Sequence, residues 1–132
     1  MNASAKTVDP RSTFDRPIPE GTKILVVEDE SIIAWDVEQL LRDCGARDVL
    51  VAPSLRQART FLAEHPDVGL ILIDLKLEGG SGTDLIPLAQ EQGIPVIITT
   101  GYDYHGGGHF PVVSKPYSTD DLISAILDAM KA

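Results

Sequence analysis

From residue 22 onward, short apolar runs alternate with stretches whose apolar positions recur at helical spacing. The runs are Lys23–Val27, residues 48–52, Gly69–Ile73, residues 95–99 and Val112–Ser114. Runs this short and this apolar predict strands buried on both faces. The stretches between them predict helices. Ile32, Ile33, Val37, Leu40 and Leu41 mark the first, over about Ser31–Cys44, with Gly45 as its stop and Trp35 packing near the same face. Pro53-Ser54 opens a second, which runs to about Glu64 with Leu55, Ala58, Phe61 and Leu62 inward, and His65-Pro66 ends it. The loop 78–82 leads into a third at about 83–91, closed by Gly93. The last starts at a Ser118/Thr119 cap, carries Asp120 and Asp121 in its first turn, and sets Leu122, Ile123, Ile126, Leu127 and Met130 on one stripe. Strands alternating with helices predict an α/β domain, a parallel sheet covered on both faces.

Two segments stand outside this rhythm. Between the fourth and fifth strands lie only Gly101 to Pro111, including Gly106-Gly107-Gly108. Each glycine costs about 1 kcal/mol in a helix interior, so a loop or one or two turns is expected there. Residues 1–20 are polar and hold Pro10, Pro17 and Pro19. They read as a flexible extension or loosely docked arm, with the domain spanning 21–132.

Composition narrows the function. A net charge of −9 argues against nucleic acid as a direct partner, because phosphate backbones need Lys and Arg. Cys44 is the only cysteine, so no intrachain disulfide forms, and its place at the end of an apolar helix face predicts buried packing. No apolar run approaches the roughly 18 residues of a membrane helix, and the N-terminus lacks a signal-peptide core; the cytoplasm is the expected compartment.

The chemistry gathers at strand ends. The run 69–73 closes on Asp74, and the first strand runs into Glu28-Asp29-Glu30. The fourth runs into Thr100 and the fifth into Lys115-Pro116. In open parallel sheets the carboxyl edge is where ligands bind. Taken singly, the acidic run reads as a helix N-terminus, Thr100-Gly101 as a turn and Lys115-Pro116 as a surface dipeptide. Together they converge. Three carboxylates at Glu28, Asp29 and Asp74 repel one another unless a cation joins them, and hard oxygen donors suit Mg²⁺ or Mn²⁺. With the Lys115 charge and the Thr100 hydroxyl, they form a phosphoryl-transfer site with Asp74 as nucleophile. His65, His105 and His109 lack a metal-ligand pattern and are expected in loops; Tyr102 and Tyr104 flank the site as loop packing or a partner contact.

These residues, over about 22–132, resemble the receiver domain of bacterial two-component response regulators, of the stand-alone type with a Thr-Gly-Tyr variant after strand four. The matching positions are Glu28-Asp29, Asp74, Gly82, Thr100-Gly101 and Lys115-Pro116-Tyr117. The resemblance implies a flavodoxin-like doubly wound sheet of order 2-1-3-4-5 with a short or degenerate fourth helix. It implies Mg²⁺ held by Asp29, Asp74 and the backbone carbonyl of Lys76, with Glu28 acting through water. It also implies that Thr100 bonds a phosphoryl oxygen, that Lys115 pairs with it, and that the Lys115-Pro116 bond is commonly cis. The partners implied are a histidine kinase or histidine phosphotransferase and a downstream protein target, with no membrane. Departures are Glu for the first Asp, Glu78 for a common proline, Val112 for a switch aromatic, and Ile98-Thr99 where related stand-alone receivers carry Phe-Ala.

The function expected is a phosphoacceptor, not a classical enzyme, whose output is protein contact. The alternative is a receiver-fold interaction module that needs no phosphorylation. An aspartyl-phosphate phosphatase of the haloacid dehalogenase type needs a second Asp two residues after the nucleophile, and Lys76 stands there.

Overall fold

The computed structural model describes residues 18–77, 80–101, 110–115 and 117–130. Its centre is β3, Val68–Asp74, whose interior side chains are buried on both faces as the unbroken apolar run predicts. β1, Lys23–Val27, lies on one side of it, with β2, Asp48–Ala52, beyond. β4, Val96–Thr100, lies on the other side, with β5, Val112–Ser114, at the edge. All these pairings are parallel, and the order is β2-β1-β3-β4-β5, as expected for a flavodoxin-like sheet.

Four α-helices are formed by the described residues. α1 is Ser31–Asp43, α2 is Leu55–Glu64, α3 is Ile86–Glu91 and α4 is Thr119–Ala129. On one face of the sheet Leu25, Val27, Ile71, Ile73 and Ile98 meet Ala58 and Leu62 of α2 and Ala89 of α3. On the other Ile24, Val26, Leu70, Leu72 and Ile97 meet Val37 and Leu41 of α1 and Leu122 and Ile126 of α4. Ser54 and Ser118 cap α2 and α4 by accepting the backbone N–H groups of Gln57 and Asp121. α1 ends at Cys44, which is buried, and Gly45 follows at φ 109°. None of the described helices is long and apolar enough to cross a membrane.

Three details depart from the sequence pattern. The expected helix at 83–91 is split: Gly82–Leu85 forms a 3₁₀ turn, and the α-helix proper begins at Ile86, with Pro87 in its first turn. Ile18, assigned to the extension, is buried against the α1–α4 face, and its N–H donates to the Cys44 carbonyl at 3.2 Å. Ile32 and Trp35 do not pack inward; they are 78% and 62% exposed. The buried set on α1 is Ala34, Val37 and Leu41, and Ile32 and Trp35, three residues apart, lie together on the face turned away from it. Trp35→Ala is therefore expected to change stability by less than about 0.5 kcal/mol, checked by urea unfolding; a loss near 3 kcal/mol would mean a buried ring.

Residues 1–17, the loop residues Glu78 and Gly79, the segment 102–109 with its tyrosines, histidines and glycines, and Pro116 with its expected cis bond lie outside the described residues.

Candidate functional site

The register of the sheet assembles the site. Backbone hydrogen bonds run one step past the strand ends: Glu28 N–H to the Ala52 carbonyl at 3.0 Å, Leu75 N–H to Thr99 at 2.8 Å, and Lys115 N–H to Thr100 at 2.7 Å. Each pins the chain where a functional side chain leaves the sheet. Glu28, Asp74 and Thr100 are buried there, Lys115 is nearly so, and Asp29 is exposed.

One carboxylate oxygen each from Glu28, Asp29 and Asp74 lies within 4.8 Å of the others. Lys115 Nζ bridges two of these acids. It donates to Asp74 Oδ2 at 2.9 Å and lies 2.7 Å from Glu28 Oε1. Asp74 Oδ1 accepts from the Lys76 backbone N–H at 3.3 Å, and Glu28 Oε2 from that of Glu30 at 3.1 Å. Glu28 Oε1 is buried, and despite the nearby ammonium no donor is aligned on it. Burial holds the Glu28 carboxyl above the usual carboxylate range, opposed by Lys115 and the Glu30 N–H. Burial alone would lower Lys115; the two carboxylates outweigh it and hold the ammonium well above its ordinary value.

An acid trio with one incompletely satisfied buried oxygen, one exposed member and oxygen-only donors fits a hard divalent cation. Among the described residues no other group of three His, Cys, Asp or Glu side chains is so placed.

The loop after Asp74 folds back on it. Residues Lys76–Leu77 pair antiparallel with Gly80–Ser81. Gly82 N–H and Ser81 Oγ both donate to the Leu75 carbonyl, at 2.9 and 3.1 Å. This sets Gly82 against the Asp74 backbone, where a Cβ would overlap the Asp74 carbonyl oxygen and Ile73 Cγ2.

Of the residues singled out in the sequence, the structure brings Glu28, Asp29 and Asp74 together with Lys115 on Glu28 and Asp74, Thr100 ends the adjacent strand, and Lys76 touches Asp74 through its backbone. The sequence pattern gave no role to Tyr117. Tyr117 is half-buried, and burial holds its hydroxyl above the usual tyrosine value. His65 sits at the far end of the sheet, its Nδ1 3.2 Å from Lys23 Nζ, away from the acid cluster.

Acids, a hydroxyl and a lysine thus gather at the carboxyl edge of a doubly wound parallel sheet. Residues 24–127 match the response regulator receiver domain family, and the chain belongs to it. It is a signalling domain of two-component systems. The chain is 33% identical over 117 residues to the phyllosphere-induced regulator PhyR of Methylorubrum extorquens, covering 83% of this chain and 44% of that protein. It is 34% identical over 113 residues to the sensory transduction protein RegX3 of Mycolicibacterium smegmatis, covering 80% and 49%. It therefore spans less than half the length of these two relatives. The solution NMR structure of the PhyR receiver domain from Erythrobacter litoralis matches with a TM-score of 0.74 at 29% identity, covering 84% of this chain and 91% of that one.

Proposed function

We propose that the chain accepts a phosphoryl group on Asp74 from the phosphohistidine of a histidine kinase or phosphotransferase and signals by protein contact. The observation that carries this reading is the Asp74 carboxylate, buried at the end of β3 with Lys115 Nζ 2.9 Å from one oxygen and the acid pair beside it. An Asp74 oxygen attacks phosphorus; the donor's phosphorus–nitrogen bond breaks, a carboxylate–phosphorus bond forms, and the imidazole leaves. Lys115 pairs with a phosphoryl oxygen, and Thr100 donates its hydroxyl to another. Asp29, Asp74 and the Lys76 carbonyl would hold Mg²⁺ or Mn²⁺, with Glu28 acting through water, and the cation would neutralise phosphoryl charge. The chain catalyses only its own phosphorylation and dephosphorylation.

The direct test is incubation with acetyl phosphate, with and without Mg²⁺, read by intact mass. A single phosphoryl addition that needs Mg²⁺ supports the reading; none in either condition rejects it.

Mg²⁺ alone is expected to stabilise the fold, because it relieves repulsion among carboxylates that only the folded chain brings together. At ten times its dissociation constant a ligand adds about 1.4 kcal/mol, or a rise of roughly 5 °C in the melting midpoint. Melts with Mg²⁺ check this, and Asp29→Ala should lose the rise; an equal rise in that variant removes Asp29 from the metal site.

Exposed Ile32 and Trp35, close in sequence to the acid pair, favour a second reading, a receiver-fold interaction module that needs no phosphorylation. Undiminished partner binding by Asp74→Asn would support it.

A further inference from the structure

One flank of α1 carries a groove of about 600 Å³ for which phosphoryl transfer gives no reason. Ile33 and Leu40 supply apolar surface, Asp36 and Asp43 supply acids, and Lys115 and Tyr117 join them from beyond the helix. The four α1 residues recur at steps of three and four, so they form one continuous stripe along the helix. Lys115 sets one end of the groove at the acid cluster. Asp36 and Asp43 are exposed, and neither takes part in an ion pair among the described residues.

The other end of the groove, at Asp43, borders the place where Ile18 is tied down. Ile18 is buried in one cluster with Leu41 and Cys44, Leu40 packs against that cluster, and the Ile18 N–H donates to the Cys44 carbonyl at 3.2 Å. The chain ahead of Ile18 must therefore depart from the foot of the groove. That stretch holds Lys6, Arg11 and Arg16 against Asp9 and Asp15, in a chain whose net charge is −9, and Phe14 is its one aromatic. Its sign is opposite to that of the groove.

The reach matches as well. An extended chain advances about 3.3 Å per residue. Arg16, two residues before the anchor, can then lie within about 7 Å of it, and Asp43 is the residue next to Cys44. Phe14, four residues before the anchor, reaches about 13 Å. Along α1, Leu40 stands about 6 Å and Ile33 about 16 Å from Cys44 at 1.5 Å per residue, so the ring falls between the two apolar side chains.

We propose that this groove is the docking site of the chain's own N-terminal arm, with the Phe14 ring between Ile33 and Leu40 and the Arg16 guanidinium on the Asp43 carboxylate. A docked arm covers the α1 flank that leads to Lys115, so a partner approaching the acid cluster along that flank must displace it. The proposal stands independently of phosphoryl transfer to Asp74.

The test is NMR on the full chain with ¹³C-labelled Ile and Leu methyl groups, comparing wild type, Phe14→Ala, Arg16→Glu, Asp43→Arg and the charge-swapped double variant Arg16→Glu/Asp43→Arg. Nuclear Overhauser contacts are expected from an aromatic ring to the Ile33 and Leu40 methyls, and Phe14→Ala should erase them and move both methyl resonances to an undocked position. The resonance position between wild type and that end point then reads the docked fraction. Either single charge reversal should lower the docking constant about fivefold, and the double variant should restore it. Asp43 is exposed, so its exchange should leave the fold intact, and melting midpoints check this. If Asp43→Arg does not fold, Asp43→Asn takes its place, with partial loss expected. Methyl resonances that do not move in Phe14→Ala overturn the proposal, as does a double variant no better docked than the singles. A sample mixing labelled and unlabelled chains separates the sources: contacts within one chain support the proposal, whereas contacts between chains assign the groove to a second copy and overturn it.

Discussion

Asp74→Asn is expected to abolish stable phosphorylation and leave the fold intact. An amide cannot supply the attacking oxygen, and removing a nucleophile outright costs on the order of a thousandfold or more. The isosteric side chain keeps its place at the end of β3, and an amide oxygen still accepts the Lys76 N–H. Lys115 loses one carboxylate and retains Glu28, 2.7 Å away. The exchange also removes one of three mutually repelling acids. The variant should therefore melt at or above the wild-type midpoint. Intact mass after acetyl phosphate and Mg²⁺ gives the first readout and thermal unfolding the second. A stably phosphorylated asparagine variant would place the acceptor elsewhere.

Gly82→Ala is expected to be among the most damaging single changes in the chain. The added Cβ would overlap the Asp74 carbonyl oxygen and Ile73 Cγ2. The cost depends on what can yield. Asp74 is opposite Thr99 in the ladder, and the next residue, Leu75, is hydrogen-bonded to Thr99, so β3 is held. Gly82 is held from its own side by its N–H bond to Leu75. With backbone on both sides, relief requires breaking the fold-back loop or displacing the acceptor. Overpacking of this kind costs about 3 kcal/mol. Urea unfolding measures it, and a variant within about 0.5 kcal/mol of wild type would show that the loop can swing clear.

The strands were legible in the sequence for a specific reason. A parallel strand covered on both faces has no polar side, so Leu70 to Ile73 appears as an unbroken run with Asp74 as its sharp end. The site was legible because each of its members closes such a run. The phase of α1 was not. Ala34 lies on the buried stripe, yet alanine contributes little to an apolar pattern, so bulky Ile32 and Trp35 drew the predicted face away from it. The pairing of Lys115 with both Glu28 and Asp74 was also invisible. Spacing along a chain brings charges to one edge but does not say which of them touch.

The burial of Ile18 bears on how this domain is cut for experiments. The family match begins at residue 24, and a fragment trimmed to that boundary looks complete on paper. It would leave behind an isoleucine that is 2% exposed and whose backbone ties to the end of α1. Withdrawing such a side chain forfeits about 2 kcal/mol and opens a gap beside Leu41 and Cys44, the latter a thiol otherwise kept from solvent. A clone starting at residue 24 would then report poor expression or oxidation that belongs to the cut, whereas one that retains Ile18 preserves the native seal.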